Sequence, residues 1–216
     1  MPVAAWNDHR PSLRQTDRTI CRQSAEQRPW PPTRRQHVAG SQPSDGQRIV
    51  HSLRRLAAQL AIASPVPPIS VIDCLARIDH RDVVVIEQPM NPRMRGGVVR
   101  HRGRWLIVLN AADDRCRMRF TLAHELAHVA LAVTGCDRHV DERMPSRLRE
   151  DLCDAFAADL LTPASAMRRA WPRLRRQARP VDATAACFDV SSSVARHRLN
   201  QLGLDASGDG APLPAR

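Results

Sequence analysis

The pentapeptide His124-Glu125-Leu126-Ala127-His128 has the residue types and the spacing of a catalytic metal site. It lies within an apolar stretch, residues 120–132, whose pattern predicts a helix. Residues four apart lie on one face of a helix, so both imidazoles can reach one tetrahedral zinc ion. Glu125 is rotated by about 100° from His124 around the helix axis, which directs its carboxylate beside the metal. A carboxylate next to a metal-activated water is the arrangement that peptide hydrolysis needs.

An ordinary helix with two surface histidines and a solvated glutamate is the alternative interpretation of this motif. The neighbouring residues argue against it, because leucine, valine and alanine side chains cover most of the helix circumference. A helix that is apolar nearly all round is buried, and titratable groups on a buried helix need a partner. We therefore favour a metal site.

The third metal ligand has to come from another element, because one helical face offers no third position. A catalytic zinc site takes three protein ligands and keeps a fourth position for water. Residues 146–161 are predicted to form a helix that carries Glu150 and Asp154 one turn apart. We expect Glu150 to be the ligand and Asp154 to accept a hydrogen bond from an imidazole N–H. Solvent-facing acids are the alternative, and His139, in the preceding loop, is a rival ligand.

The order of the remaining elements predicts an α+β fold in which helices flank a small sheet. Helical spacing of apolar residues begins near Asp45, and the short β-branched run 83–86 marks a strand. A hairpin is predicted to turn at Arg102-Gly103, and its second strand, 105–109, is a candidate edge for an extended substrate. The predicted regions are a disordered basic arm at 1–44, a metallopeptidase core at 45–163, a helical region at 164–204 and a disordered tail at 205–216.

The composition predicts a protein of the reducing cytoplasm. The six cysteines are scattered without C-x-x-C pairs, which argues against a disulfide framework. No apolar run is long enough to cross a membrane, and the first 30 residues lack the apolar core of a secretory signal.

The formal net charge is +11, every basic residue is arginine, and the excess of positive charge lies towards the two ends of the chain. Complete avoidance of lysine is typical of a coding bias, which weakens an inference to nucleic acid.

The region after Pro163 contains two short predicted helices that resemble a helix-turn-helix. Ser191 is a suitable N-cap for the second helix, and Gly203 a suitable C-cap. We expect this pair to pack on the core, with DNA binding as the less favoured alternative. Its outer face is predicted to carry Ser192, Ser193, Arg196, His197 and Asn200.

Two motifs together resemble the ImmA/IrrE family of bacterial zinc metallopeptidases. They are RFTLAHELAH at residues 119–128 and EDLCDAFAADLLTP at residues 150–163. The resemblance covers residues 45–163. Its departures are Ala127, where the family often has glycine, and Cys153-Asp154, where Ala-Asn is frequent; neither removes a catalytic group.

The resemblance implies a zincin-like fold with His124, His128 and Glu150 as zinc ligands and Glu125 as the general base. It also implies a protein substrate, a helix-turn-helix transcriptional repressor encoded nearby, whose cleavage derepresses genes of a mobile element or a stress response. The alternative function is a DNA- or repressor-binding regulator with a non-catalytic metal site. Intact ligands together with Glu125 favour the enzyme. A second donor to the oxyanion is not identified, because the chain has no tyrosine and the remaining candidates, His101, His139 and Arg149, are weak.

Overall fold

The computed structural model describes residues 45–62, 67–78, 83–133 and 145–204. The predicted arm at 1–44, the rival ligand His139 and the predicted tail at 205–216 lie outside these ranges, so those predictions stay untested.

The described chain is α+β, as predicted, with seven helices and one three-stranded sheet in the described ranges. None of its helices is both long enough and apolar enough to cross a membrane. In chain order, the elements are α1 (Asp45–Ile62), α2 (Val71–Ile78), β1 (Val83–Gln88), β2 (Gly96–His101), β3 (Arg104–Asn110), α3 (Arg115–Val133), α4 (Ser146–Leu161), α5 (Ala164–Leu174), α6 (Pro180–Phe188) and α7 (Ser192–Gln201).

The sheet has the order β1-β3-β2, with β1 parallel to β3 and β2 antiparallel to it. The hairpin turn is at the predicted position, since Arg102 and Gly103 both have the positive φ angles (49° and 83°) of a tight hairpin turn. The prediction of an open edge at residues 105–109 is wrong. These residues form the central strand, because β1 pairs with β3 along its whole length, from Val83↔Trp105 to Gln88↔Asn110.

The helix that carries the pentapeptide, α3, is buried as the apolar pattern predicts. It packs against β2 and β3 on one side and against α4 on another. Leu126, Val129 and Leu131 lie in one core with Ile107 of the sheet and Phe156 of α4. Burial extends to the polar residues of the motif, because His124 and Glu125 are among the buried residues of the helix.

Asn110, at the end of β3, organises the connection between β1 and β2. Its side-chain oxygen accepts hydrogen bonds from the Met90 and Ala112 amides at 3.0 Å, and its amide donates to the Met94 carbonyl at 2.8 Å. The side chain is almost completely buried, so these bonds satisfy it where water is excluded. The connection therefore delivers the chain to Gly96, the first residue of β2, in a fixed position.

The C-terminal helices pack on the same core as the rest of the chain, as expected. Phe188, Ala195 and Leu199 of α6 and α7 belong to the core that contains Leu126 and Phe156. Arg119 of α3 ties the α6–α7 turn to the motif helix. Its guanidinium donates to the Phe188, Asp189 and Ile69 carbonyls, at 2.9, 2.6 and 2.6 Å.

Gly96→Ala is expected to destabilise the fold, because β2 approaches α3 most closely at this residue. An added Cβ would lie 2.6 Å from Thr121 Cγ2 and 2.7 Å from the Val108 carbonyl oxygen. That oxygen belongs to the paired strand β3 and cannot move freely, so we expect a loss of about 1–3 kcal/mol in the free energy of unfolding.

Chemical denaturation of both glycine variants measures the difference. Gly97→Ala is the matched control, because nothing lies within 4 Å of its added Cβ, and alanine is no worse than glycine in a strand. Equal losses in the two variants would contradict the close approach of β2 to α3.

Candidate metal centre

Three of the predicted residues bring their donor atoms to one place. His124 and His128 lie one turn apart on α3, and their Nε2 atoms are 3.2 Å from each other. Glu150, from α4, places Oε2 3.2 Å from His124 Nε2 and Oε1 3.6 Å from His128 Nε2. Donors at about 2.0–2.1 Å from a tetrahedral ion are roughly 3.3 Å apart. The spacing fits a metal ion held by these three side chains, and the ligand assignment itself stays a prediction.

The other nitrogen of each imidazole faces a neighbouring residue of α4. His124 Nδ1 lies 2.7 Å from Asp154 Oδ1, which is the contact that the sequence analysis predicted for Asp154. His128 Nδ1 lies 3.7 Å from Cys153 Sγ. Partners of this kind fix the tautomer and orientation of a ligating imidazole. Consecutive residues of one helix therefore orient both histidines with Nε2 towards Glu150.

Cys153 is the residue of the site to which the sequence analysis gave no role, since it appeared there only as a departure from the family pattern. Its sulfur and the histidine nitrogens lie within 4.8 Å of one another, so His124, His128 and Cys153 also form a possible metal-binding group. The sulfur faces His128 Nδ1, whereas the Glu150 carboxylate faces the Nε2 atoms. The geometry therefore favours Glu150 as the third ligand and Cys153 as a partner of His128. The signal in the sequence was the spacing, because Cys153 lies three residues after Glu150 and on the side of α4 that meets α3.

Glu125 is fully buried, with none of its surface exposed. Neither of its carboxylate oxygens has a hydrogen-bond partner in the described part of the chain. Burial raises the pKa of this carboxyl, although the neighbouring His124 and His128 act in the opposite direction. A buried carboxylate without a protein partner is costly. Beside two convergent imidazoles, it fits a group whose partner is a water molecule or a substrate.

The charges of His124 and Glu150 stabilise each other. Burial lowers the pKa of His124, but hydrogen bonds with Asp154 and Glu150 outweigh burial and raise it to about 10. Burial raises the pKa of Glu150, but the hydrogen bonds with His124 and His128 bring it well below its usual range. Nε2 of His124 and the Glu150 carboxylate are therefore a favourable place for a cation, and a metal ion held there would compete with a proton.

The remaining candidates for a second oxyanion donor gain no role from the structure. His101 is exposed at the end of β2, beside the hairpin turn. Arg149 precedes Glu150 on α4 and is partly buried. His139 lies outside the described residues.

The chain matches the profile of a known protein family. The profile describes the IrrE N-terminal-like domain of the M78 peptidases, and it matches residues 78–200. The chain belongs to this family. The match covers more than half of the chain and includes the histidine motif, α4 and most of the C-terminal helices, which confirms the resemblance found in the sequence. The domain is thus a metallopeptidase-like domain.

The fold is shared with a solved structure described as a Mycobacterium tuberculosis transcriptional regulator. The TM-score is 0.51 and the identity 18%, over 73% of this chain and 52% of that chain. The chain therefore spans about half the length of that protein, and at this identity the likeness concerns the fold. No curated protein gives a significant match to the chain.

Asp154→Ala is expected to weaken metal binding by about 10- to 100-fold, because His124 loses the carboxylate that orients it. Competition with a chromophoric chelator measures the affinity. Asp151→Ala is the matched control, since it removes the same charge from the same helix three residues earlier. Equal affinities in all three proteins would show that Asp154 does not orient a ligand, and an equal loss in both variants would point to net charge alone.

Proposed function

We propose that the chain is a zinc-dependent peptidase that hydrolyses a peptide bond in a protein substrate. Its zinc ligands are His124, His128 and Glu150, and its general base is Glu125. The observation that carries the proposal is the fully buried Glu125 carboxylate, which lacks a hydrogen-bond partner among the described residues and lies on the helix whose imidazoles converge with Glu150. Membership in a peptidase family supports it.

Zinc bound there would polarise the scissile carbonyl and lower the pKa of water towards about 7. The protein's part is proton transfer and positioning. Glu125 accepts the proton of the attacking water and returns it to the leaving amine, and burial, which raises its pKa, makes it a stronger base than a solvated carboxylate. Asp154 and Cys153 hold the imidazoles in place while the proton moves.

The substrate segment is proposed to lie along β2 in an extended conformation. In the described chain, β2 pairs with β3 on one side and leaves its other edge unpaired. Gly96 of this strand meets Thr121, which lies one turn before His124 and Glu125 on α3. An extended peptide can add to such an edge through main-chain hydrogen bonds. The edge of β2 replaces strand 105–109 as the candidate substrate edge, because that strand is paired on both sides.

The proposed substrate is a helix-turn-helix transcriptional repressor encoded nearby, whose cleavage derepresses mobile-element or stress genes. Its support is the resemblance of residues 119–128 and 150–163 to the ImmA/IrrE motifs. The alternative is a regulator with a non-catalytic metal site. The two proposals predict different results for a substitution at Glu125 that leaves the metal in place. If the chain is a peptidase, the substitution abolishes cleavage; if it is a regulator, there is no cleavage to lose.

Glu125→Gln is expected to abolish cleavage and to leave the metal content unchanged, because the amide cannot accept the proton and the residue is not a ligand. The test incubates the full chain with the repressor encoded by the adjacent gene, with zinc added, and detects fragments by mass spectrometry. Glu87→Gln, on an exposed position of β1, is the control and should cleave normally. Cleavage by Glu125→Gln at the normal rate would overturn the proposed role.

Glu150→Ala and His124→Ala are expected to lose zinc as well as activity, because each removes one of three ligands. Elemental analysis of the purified proteins gives the metal content per chain. Glu87→Ala serves as the control for a lost carboxylate. Full zinc occupancy in Glu150→Ala would contradict the ligand assignment and would point to Cys153 in its place.

A further inference from the structure

The helices α6 and α7 are joined by a short turn, as in a helix-turn-helix. The first helix ends at Phe188, and three residues form the turn, with Asp189 in the left-handed conformation (φ 51°). Ser191 then caps α7, its hydroxyl accepting a hydrogen bond from the Val194 amide at 3.3 Å. Phe188, Val190, Ala195 and Leu199 are buried between the helices and the core. The shared packing holds the two helices in a fixed arrangement across the turn.

The second helix presents a polar face to solvent. Ser192, Ser193, Arg196 and Asn200 are exposed and share one face, while Ala195, Arg198 and Leu199 point into the protein. Arginine and asparagine make the common bidentate contacts to guanine and adenine, and serine hydroxyls bind phosphate or base edges. The exposed face of α7 therefore has the composition of a recognition helix.

The surroundings of α7 are strongly basic. Residues 164–204 contain eight arginines and two aspartates, a net charge of +6. Both aspartates are engaged: Asp182 pairs with Arg179 at 2.8 Å, and Asp189 pairs with Arg115 at 3.3 Å. Seven of the eight arginines are exposed, namely Arg168, Arg169, Arg173, Arg175, Arg176, Arg179 and Arg196.

Two of these arginines flank the ends of α7. Arg179 pairs with Asp182, which in turn accepts a hydrogen bond from Ser192 at 2.8 Å, so it lies near the first turn. Arg168 donates to the Leu202 carbonyl at 3.3 Å, so it lies near the last turn. Positive charge at both ends of a recognition helix matches the phosphates on the two sides of a DNA groove.

We propose that α6, the turn and α7 bind double-stranded DNA, with the exposed face of α7 in the major groove. An acidic protein is the less suitable partner, because a helix that docks on a protein presents apolar anchors. In the described part of the chain, the exposed large apolar side chains lie on other helices: Ile62, Ile72, Val133 and Leu148.

The proposed DNA surface is separate from the metal centre, so it goes beyond the peptidase function. Arg198 of α7 donates to the Thr162 carbonyl at 3.0 Å and pairs with Asp159 at 2.5 Å, near the end of α4. Glu150 lies near the start of that helix, about 14 Å from Asp159 along the axis. Helix α7 therefore packs near the end of α4 that is opposite Glu150.

The experiment measures binding of the full chain to a fluorescein-labelled 30-base-pair duplex of mixed sequence by fluorescence anisotropy. We expect binding that weakens with salt, with a slope of log K against log salt of about −0.9 per phosphate contacted. Arg196→Ala is expected to weaken binding at least about fivefold and to reduce the slope by roughly one. Its exposed position predicts an unchanged circular dichroism spectrum and melting temperature.

Arg93→Ala is the matched control, because it removes the same charge from an exposed position between β1 and β2. Binding by this variant should equal that of the unaltered chain. Absence of duplex binding at low salt, or an equal loss in both variants, would overturn the proposal. Displacement of the duplex by an equal charge of poly-glutamate would also overturn it, because the surface would then be a general site for acidic chains. The assay involves neither metal nor cleavage, so its result is independent of the proposed peptidase activity.

Discussion

The packing of α3 against α4 is the interaction on which the rest of the structure depends. It buries His124 and Glu125 and largely buries His128, all on a single helix, and burial of such groups is costly unless each finds a partner. One face of α4 supplies partners for both imidazoles through Glu150, Cys153 and Asp154. Of these three groups on α3, Glu125 is the one whose oxygens have no hydrogen-bond partner among the described residues. The same packing that forms the core therefore leaves one reactive carboxylate beside the donor atoms.

The sheet and the C-terminal helices hold α3 in this position from its other sides. β2 approaches α3 closely at Gly96, where a side chain has no room. Arg119 connects α3 to the turn between α6 and α7, and burial lowers the pKa of this guanidinium, although the nearby Asp189 acts in the opposite direction. Arg198 makes a similar connection from α7 to α4. These two largely buried arginines are structural, so the arginine content reflects more than coding bias or surface charge.

Local signals in the sequence predicted the parts of the site that depend on one element at a time. Helical spacing placed His124, Glu125 and His128 on one helix, and the interval between Glu150 and Asp154 gave the contact of Asp154 with an imidazole. The hairpin turn at Arg102-Gly103 followed from its residue types.

The position of β3 at the centre of the sheet was missed, because the parallel pairing with β1 joins segments that are distant in sequence. A signal was present, however, since a continuous apolar run such as 105–109 is typical of a strand that is buried on both faces. The spacing from Glu150 placed Cys153 on the same side of α4, but its contact with His128 depends on how α3 and α4 pack, which the spacing alone does not determine.

The central claim is that nitrogen and oxygen donors from α3 and α4 hold a zinc ion, with Cys153 outside its coordination shell. X-ray absorption at the zinc edge of the purified, zinc-loaded protein tests it most directly. The structure predicts a first shell of nitrogen and oxygen atoms alone, at about 2.0–2.1 Å, with the outer-shell scattering of two imidazoles. A sulfur atom at about 2.3 Å in the first shell would contradict the account, because Cys153 would then take the place assigned to Glu150.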